Sequence, residues 1–116
     1  MTSSKPYLIR AIYEWITDNN LTPYITVDTS IFGTEVPEEY IKEDRITLDI
    51  SAEATNSLII NNDFLEFKAK FGGVSYDIYI PMPAVMIIFA QENNQGRHFR
   101  QKNLTTKMMT KAVNRH

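Results

Sequence analysis

The 116-residue chain contains no cysteine, which excludes a disulfide framework and any thiolate metal site and fits a reducing cytoplasm. It has two histidines, His98 and His116, both near the C-terminal end with no third group placed to orient them. Nucleophilic catalysis needs a nucleophile, a base and an orienting partner, so a hydrolase or transferase is not expected. No His, Asp and Glu cluster has metal-ligand spacing, and neither a metal nor another cofactor is expected. The four glycines include the pair Gly72-Gly73, but no Lys-Ser/Thr follows it, so it is not a phosphate-binding loop. The longest apolar run, Ala84 to Ala90, falls far short of the roughly 20 residues of a membrane span. The opening Met1-Thr-Ser-Ser-Lys-Pro6 leads to Arg10, Glu14 and Asp18, unlike the apolar middle of a signal peptide. Together these absences predict a soluble cytoplasmic protein that is not an enzyme.

Acidic residues are missing from one end alone. Residues 1–96 hold all 14 Asp and Glu and six of the 12 basic residues, a balance of −8; residues 97–116 hold six basic residues and no acid. So abrupt a change of sign predicts an acidic folded domain over 1–96 and a disordered basic tail over 97–116. Glu38-Glu39 and Glu43-Asp44 are paired acids, but sequence neighbours seldom converge on one atom, so they read as solvated loop positions.

Pro6 suits the first turn of a helix, with Ser3 or Ser4 before it as a cap. From Tyr7 to about Asn19 the spacing is helical: Leu8, Ile12 and Trp15 share one face, and Ile9, Tyr13 and Ile16 a neighbouring one. That apolar arc is wider than one sheet contact requires. It predicts either a deeply sunk helix or one packed on both its own domain and a second copy, with Leu8, Ile9, Ile12, Trp15 and Ile16 at the contact. In so small a domain the homodimer is the favoured reading.

Beyond Asn19-Asn20, five stretches rich in β-branched and aromatic residues predict strands: 24–29, 45–50, 57–61, 64–71 and 74–80. Gly72-Gly73 between the last two is a strong hairpin signal. One helix followed by regular short strands predicts a mainly β domain, a small, partly open antiparallel barrel built as a meander. Pro81-Met-Pro83 is expected to end the last strand and begin a short helical segment to about Glu92. Small barrels bind RNA in many settings, but phosphate contact needs positive charge on the folded surface, and this body is acidic; nucleic-acid binding is the alternative function and the weaker one. The remaining class is a peptide-binding module, in which a short sheet takes an extended segment along an edge or groove. Phe67, Ala69 and Phe71 share one strand face, a small residue between two aromatics that makes either a shallow socket or ordinary core.

Lys5-Pro-Tyr-Leu-Ile-Arg-Ala-Ile-Tyr-Glu-Trp15, Asp18-Asn19 and Leu21-Thr-Pro-Tyr24 open a series of segments. Val36-Pro37, Glu39-Tyr40, Arg45-Ile-Thr-Leu-Asp-Ile50, Phe67-Lys-Ala-Lys-Phe-Gly-Gly73, Ile80-Pro81 and Ala90-Gln-Glu-Asn93 continue it in order. Over residues 5–96 the chain resembles the stringent starvation protein B family, the specificity-enhancing factor of the ClpXP protease. The resemblance implies an open barrel of the Sm and SH3 kind and a homodimer made by the N-terminal helix. It also implies an adaptor that binds the peptide tag added by transfer-messenger RNA and tethers tagged substrates to the ClpX unfoldase, and it is compatible with ribosome association. The tag groove carries over to Tyr40 and to the strand bearing Phe67, Ala69 and Phe71.

The tail departs from the family, whose members continue into a long acidic segment ending in a basic-hydrophobic motif that docks on ClpX. Here the sequence reads Gly96-Arg-His-Phe-Arg100 and stays basic to His116, which puts delivery to ClpX in question. Met108-Met109-Thr110 must be encoded ATG-ATG-ACN, and one shift of frame turns this into Asp-Asp whatever the synonymous choices. A frameshifted remnant lacking the docking motif is therefore the expectation for residues 97–116, with a genuine basic tail as the alternative.

Overall fold

A computed structural model describes residues 2–92 and, for the backbone, 96–98. The expectation of a disordered, frameshifted tail concerns positions that, apart from the backbone of 97 and 98, lie outside the described residues.

The first element is α1 (Lys5–Asp18), with Pro6 in its first turn. Ser4 is the cap position but makes no side-chain cap bond; the Ser3 hydroxyl instead accepts the Lys5 N–H at 3.1 Å. At the other end Asn20 takes the left-handed conformation (φ 59°), and the N–H groups of Leu21 and Asn20 bond back to the carbonyls of Ile16 (3.1 Å) and Thr17 (3.0 Å). That double closure satisfies carbonyls the helix would otherwise leave bare, and Asn tolerates the left-handed turn better than most residues.

Six strands of useful length follow: β1 (Pro23–Asp28), β2 (Arg45–Asp49), β3 (Thr55–Ile60), β4 (Phe64–Phe71), β5 (Val74–Pro81) and β6 (Val85–Ala90), with a short β7 (Gly96–His98). All pairings are antiparallel, in one sheet of order β2-β1-β6-β7 and another of order β3-β4-β5. The two sheets do not close on each other, so the mainly β fold with one helix is a small open barrel. Strands β3, β4 and β5 form an uninterrupted meander, whereas β6 returns to pair with β1. Gly72 (φ 57°) and Gly73 (φ 83°) turn the β4–β5 hairpin in two residues, both left-handed as such a turn demands.

One expected element is corrected. Residues 83–92 are not a helical segment: a single 3-10 turn (Met82–Ala84) uses the prolines, and Val85–Ala90 is β6. A short apolar run carries no period that separates strand from buried helix, and this one is rich in β-branched residues that pack between neighbouring strands. It lies between β1 and β7, and Val85, Ile88 and Ala90 are buried.

The core draws Ile25 and Val27 from β1, Leu48 from β2, Leu65 and Phe67 from β4, Ile78 and Ile80 from β5, and Ile88 from β6. Helix α1 packs over β6 and β1 and contributes Ile9 and Ile16, fully buried. Each such side chain stabilises the fold by about 1.5–3 kcal/mol as an upper estimate. Arg10 ties the helix to the β3–β4 turn: one guanidinium nitrogen donates to the Ile60 carbonyl (3.1 Å), another to Asn62 Oδ1 (2.9 Å), over the Tyr7 ring. No helix of the described residues is long and apolar enough to cross a membrane.

Candidate peptide-binding site

Alternation along β4 turns Leu65, Phe67 and Ala69 inward. Phe67 (2% exposed) and Ala69 (7%) belong to the core, while Phe71, two residues on, is only half-buried. The row therefore begins as core and ends at the surface beside the hairpin turn. Ala69 stands opposite Thr55 on β3 and Tyr76 on β5. Thr55 is itself buried, and it also lines a cleft of about 630 Å³ between α1 and β3, with Arg10, Tyr13, Ser57 and Leu58.

Tyr40 reaches this row from a distant part of the sequence. It ends the 3-10 turn Glu38–Tyr40, and its ring lies 5.2 Å from that of Phe71, tilted by 43°. Phe71 in turn meets Tyr76 edge-on at 5.8 Å and 82°. Such offset and edge contacts are the arrangements favoured by the aromatic quadrupole. Tyr40 remains 44% exposed, so the cluster presents an aromatic face to solvent, and Val74, opposite Phe71 across the hairpin, is exposed beside it. The Tyr76 hydroxyl donates to Glu39 Oε2 at 3.0 Å, and this bond, with the carboxylate's charge, raises the Tyr76 phenol above its ordinary pKa. Nearby Lys68 and Asp77 pair loosely at 3.8 Å, both exposed, and contribute little.

Tyr40 and Phe71 are thus in contact, whereas Ala69, two residues before Phe71 on the same face, is nearly buried and Phe67 is buried in the core. Tyr76 joins this cluster without being among the expected site residues, and Glu39, expected as a solvated loop position, accepts its hydrogen bond. Tyr76 was accessible to register arithmetic: with a two-residue turn at 72–73, Phe71 pairs with Val74 and Ala69 with Tyr76. Glu39 carried no such signal, because its partner is 37 residues away.

The residues assigned to a helix contact separate into two groups. Ile9 and Ile16 are sealed inside their own chain, and Leu8 and Ile12 are half-buried against the core. Trp15 (47% exposed) and Tyr7 (51%) face outward with Ala11 between them, an apolar stripe at i, i+4 and i+8. Among the described residues no group of three or more metal-ligating side chains converges.

Residues 3–116 match the protein family described as stringent starvation protein B. The chain is 47% identical over 100 residues to a stringent starvation protein B homolog of Haemophilus influenzae, an alignment covering 86% of this chain and 67% of that relative. On both grounds, the chain belongs to the stringent starvation protein B family.

Proposed function

We propose that this chain is a cytoplasmic adaptor of the ClpXP protease, not an enzyme: it captures proteins carrying the transfer-messenger-RNA-encoded tag, while its delivery of them to the ClpX unfoldase is impaired by the atypical basic sequence after residue 96. Family membership supports the adaptor class, and the observation that carries the peptide site is the half-exposed Tyr40 ring packed on Phe71 beside the β4–β5 turn. An extended tag lying across this sheet would set apolar side chains against Tyr40, Phe71 and the small Ala69. Ordering a flexible tag costs conformational entropy and keeps its affinity modest, and tethering offsets this by raising the local concentration of substrate at the unfoldase. Two copies joined through the Tyr7, Leu8, Ile12 and Trp15 side of α1 would carry two such sites.

The deciding experiment is fluorescence anisotropy of a labelled tag peptide with the full chain and with Ala69→Gln. Wild type is expected to bind, and the variant to lose at least tenfold in affinity. Because Ala69 is nearly buried, Gln also costs about 1–3 kcal/mol of stability, so calorimetry must show that the variant is folded. Wild-type binding that collapses between low and moderate salt would instead indicate phosphate-type contacts and the RNA-binding alternative. No binding by wild type would overturn the proposal. Delivery is read separately, as ClpXP degradation of a tagged substrate with and without this chain: no acceleration is expected, and faster degradation would overturn the impaired delivery.

A further inference from the structure

The turn bearing Tyr40 is entered through half-buried Val36 and buried Pro37, but the turn residues themselves have little to hold them. Residues 38–40 are all exposed, and their backbone bonds are local, Tyr40 N–H to Pro37 at 3.2 Å and Ile41 N–H to Glu38 at 3.1 Å. Upstream, Glu35 exchanges two backbone hydrogen bonds with Tyr79 of β5 (2.8 and 3.0 Å); downstream, the chain passes to the opposite sheet through the Lys42–Arg45 turn. Between those anchors, one side-chain hydrogen bond joins the turn to the β3-β4-β5 sheet, that from the Tyr76 hydroxyl to Glu39. It closes a ring of contacts: Glu39 to Tyr76, Tyr76 edge-on to Phe71, Phe71 to Tyr40, and Tyr40 back to Glu39 through the peptide bond.

We propose that Glu39 and Tyr76 are positioning residues for the peptide site: their hydrogen bond latches the 38–40 turn onto the sheet and holds Tyr40 over Phe71 as a preformed aromatic seat for an apolar peptide side chain. The inference rests on the peptide-binding function proposed above. A hydrogen bond to a carboxylate is among the stronger kinds, and fixing a loop side chain before binding removes an ordering cost from the complex. The latch lies beside the seat without forming it, so its loss weakens binding without destroying the site.

Two measurements test the latch in the full chain. In anisotropy titrations with the labelled tag peptide, Glu39→Ala and Tyr76→Phe should each weaken binding about fivefold, with the double variant no weaker than either single one. Glu39→Gln, whose amide oxygen still accepts from Tyr76, should stay within about twofold of wild type. Both Glu39 variants remove the same charge, so rescue by Gln separates the hydrogen bond from electrostatics. Melting temperatures should hardly move, since both groups are at the surface. Without any peptide, the nuclear Overhauser contact between the Tyr40 and Phe71 rings should weaken in Glu39→Ala and Tyr76→Phe and persist in Glu39→Gln. An unchanged ring contact in Glu39→Ala, additive losses in the double variant, or Gln as weak as Ala would overturn the latch. If wild type bound no tag peptide, the peptide function would fall, while the ring contact would still decide whether the latch positions Tyr40.

Discussion

Tyr40 lays its hydroxyl where a side chain at residue 72 would begin: a Cβ on Gly72 would stand 3.1 Å from Tyr40 Oη. A Cβ on Gly73 would meet nothing within 4 Å, though both glycines are left-handed. Gly72→Ala and Gly73→Ala should therefore cost similar backbone strain, about 1–2 kcal/mol each by chemical denaturation. Only Gly72→Ala should also displace the Tyr40 ring and weaken tag-peptide binding. Equal effects on binding would mean that the Tyr40–Gly72 approach is incidental.

The outward stripe of α1 predicts a homodimer that one charge can split. Trp15→Glu should sediment as a folded monomer, because a carboxylate facing an apolar partner surface loses its hydration without gaining a partner. Ile9→Glu should instead unfold the chain, Ile9 being fully buried. A wild-type protein that sediments as a monomer at micromolar concentration would rule the dimer out.

Glu43 (φ 52°) and Asp44 (φ 62°) form a two-residue turn with both residues left-handed, closed by paired backbone bonds between Lys42 and Arg45 at 2.8 and 2.9 Å. Asn-Gly is the sequence such a turn prefers. The double change Glu43→Asn, Asp44→Gly should raise stability by about 1 kcal/mol, read as a higher denaturant midpoint with an unchanged slope. A lower midpoint would indicate that the two acids hold the turn in some other way.

Lys5 is buried, and desolvation brings its pKa down from 10.5 to about 8. A lysine with a lower pKa folded than unfolded penalises the fold while it is protonated, and the penalty lifts as pH rises from about 8 toward the unfolded value. Between pH 8 and 10 wild type should therefore gain roughly 2 kcal/mol relative to Lys5→Met, measured by denaturation at each pH. Parallel pH profiles for the two proteins would contradict the shift.

Much of the architecture was legible because it is written locally. The alternation Leu65, Phe67, Ala69, Phe71 and the Gly72-Gly73 pair specified the β4–β5 hairpin and its register, and the α1 pattern with Asn19-Asn20 after it marked the helix and its end. Residues 85–90 were not legible in this way, since a run apolar at nearly every position has no period to read, and pairing with β1 decides it. By itself the sequence determined the fold class, which residues share a face of β4, and the family. Tertiary structure alone decided that Phe67 is core while Phe71 is surface, that Ile9 and Ile16 face inward while Trp15 faces out, and that Glu39 reaches Tyr76. The reason is physical: periodicity says which residues share a face, but how deeply each lies depends on what the rest of the chain lays over it, and that cover comes from residues far away in sequence.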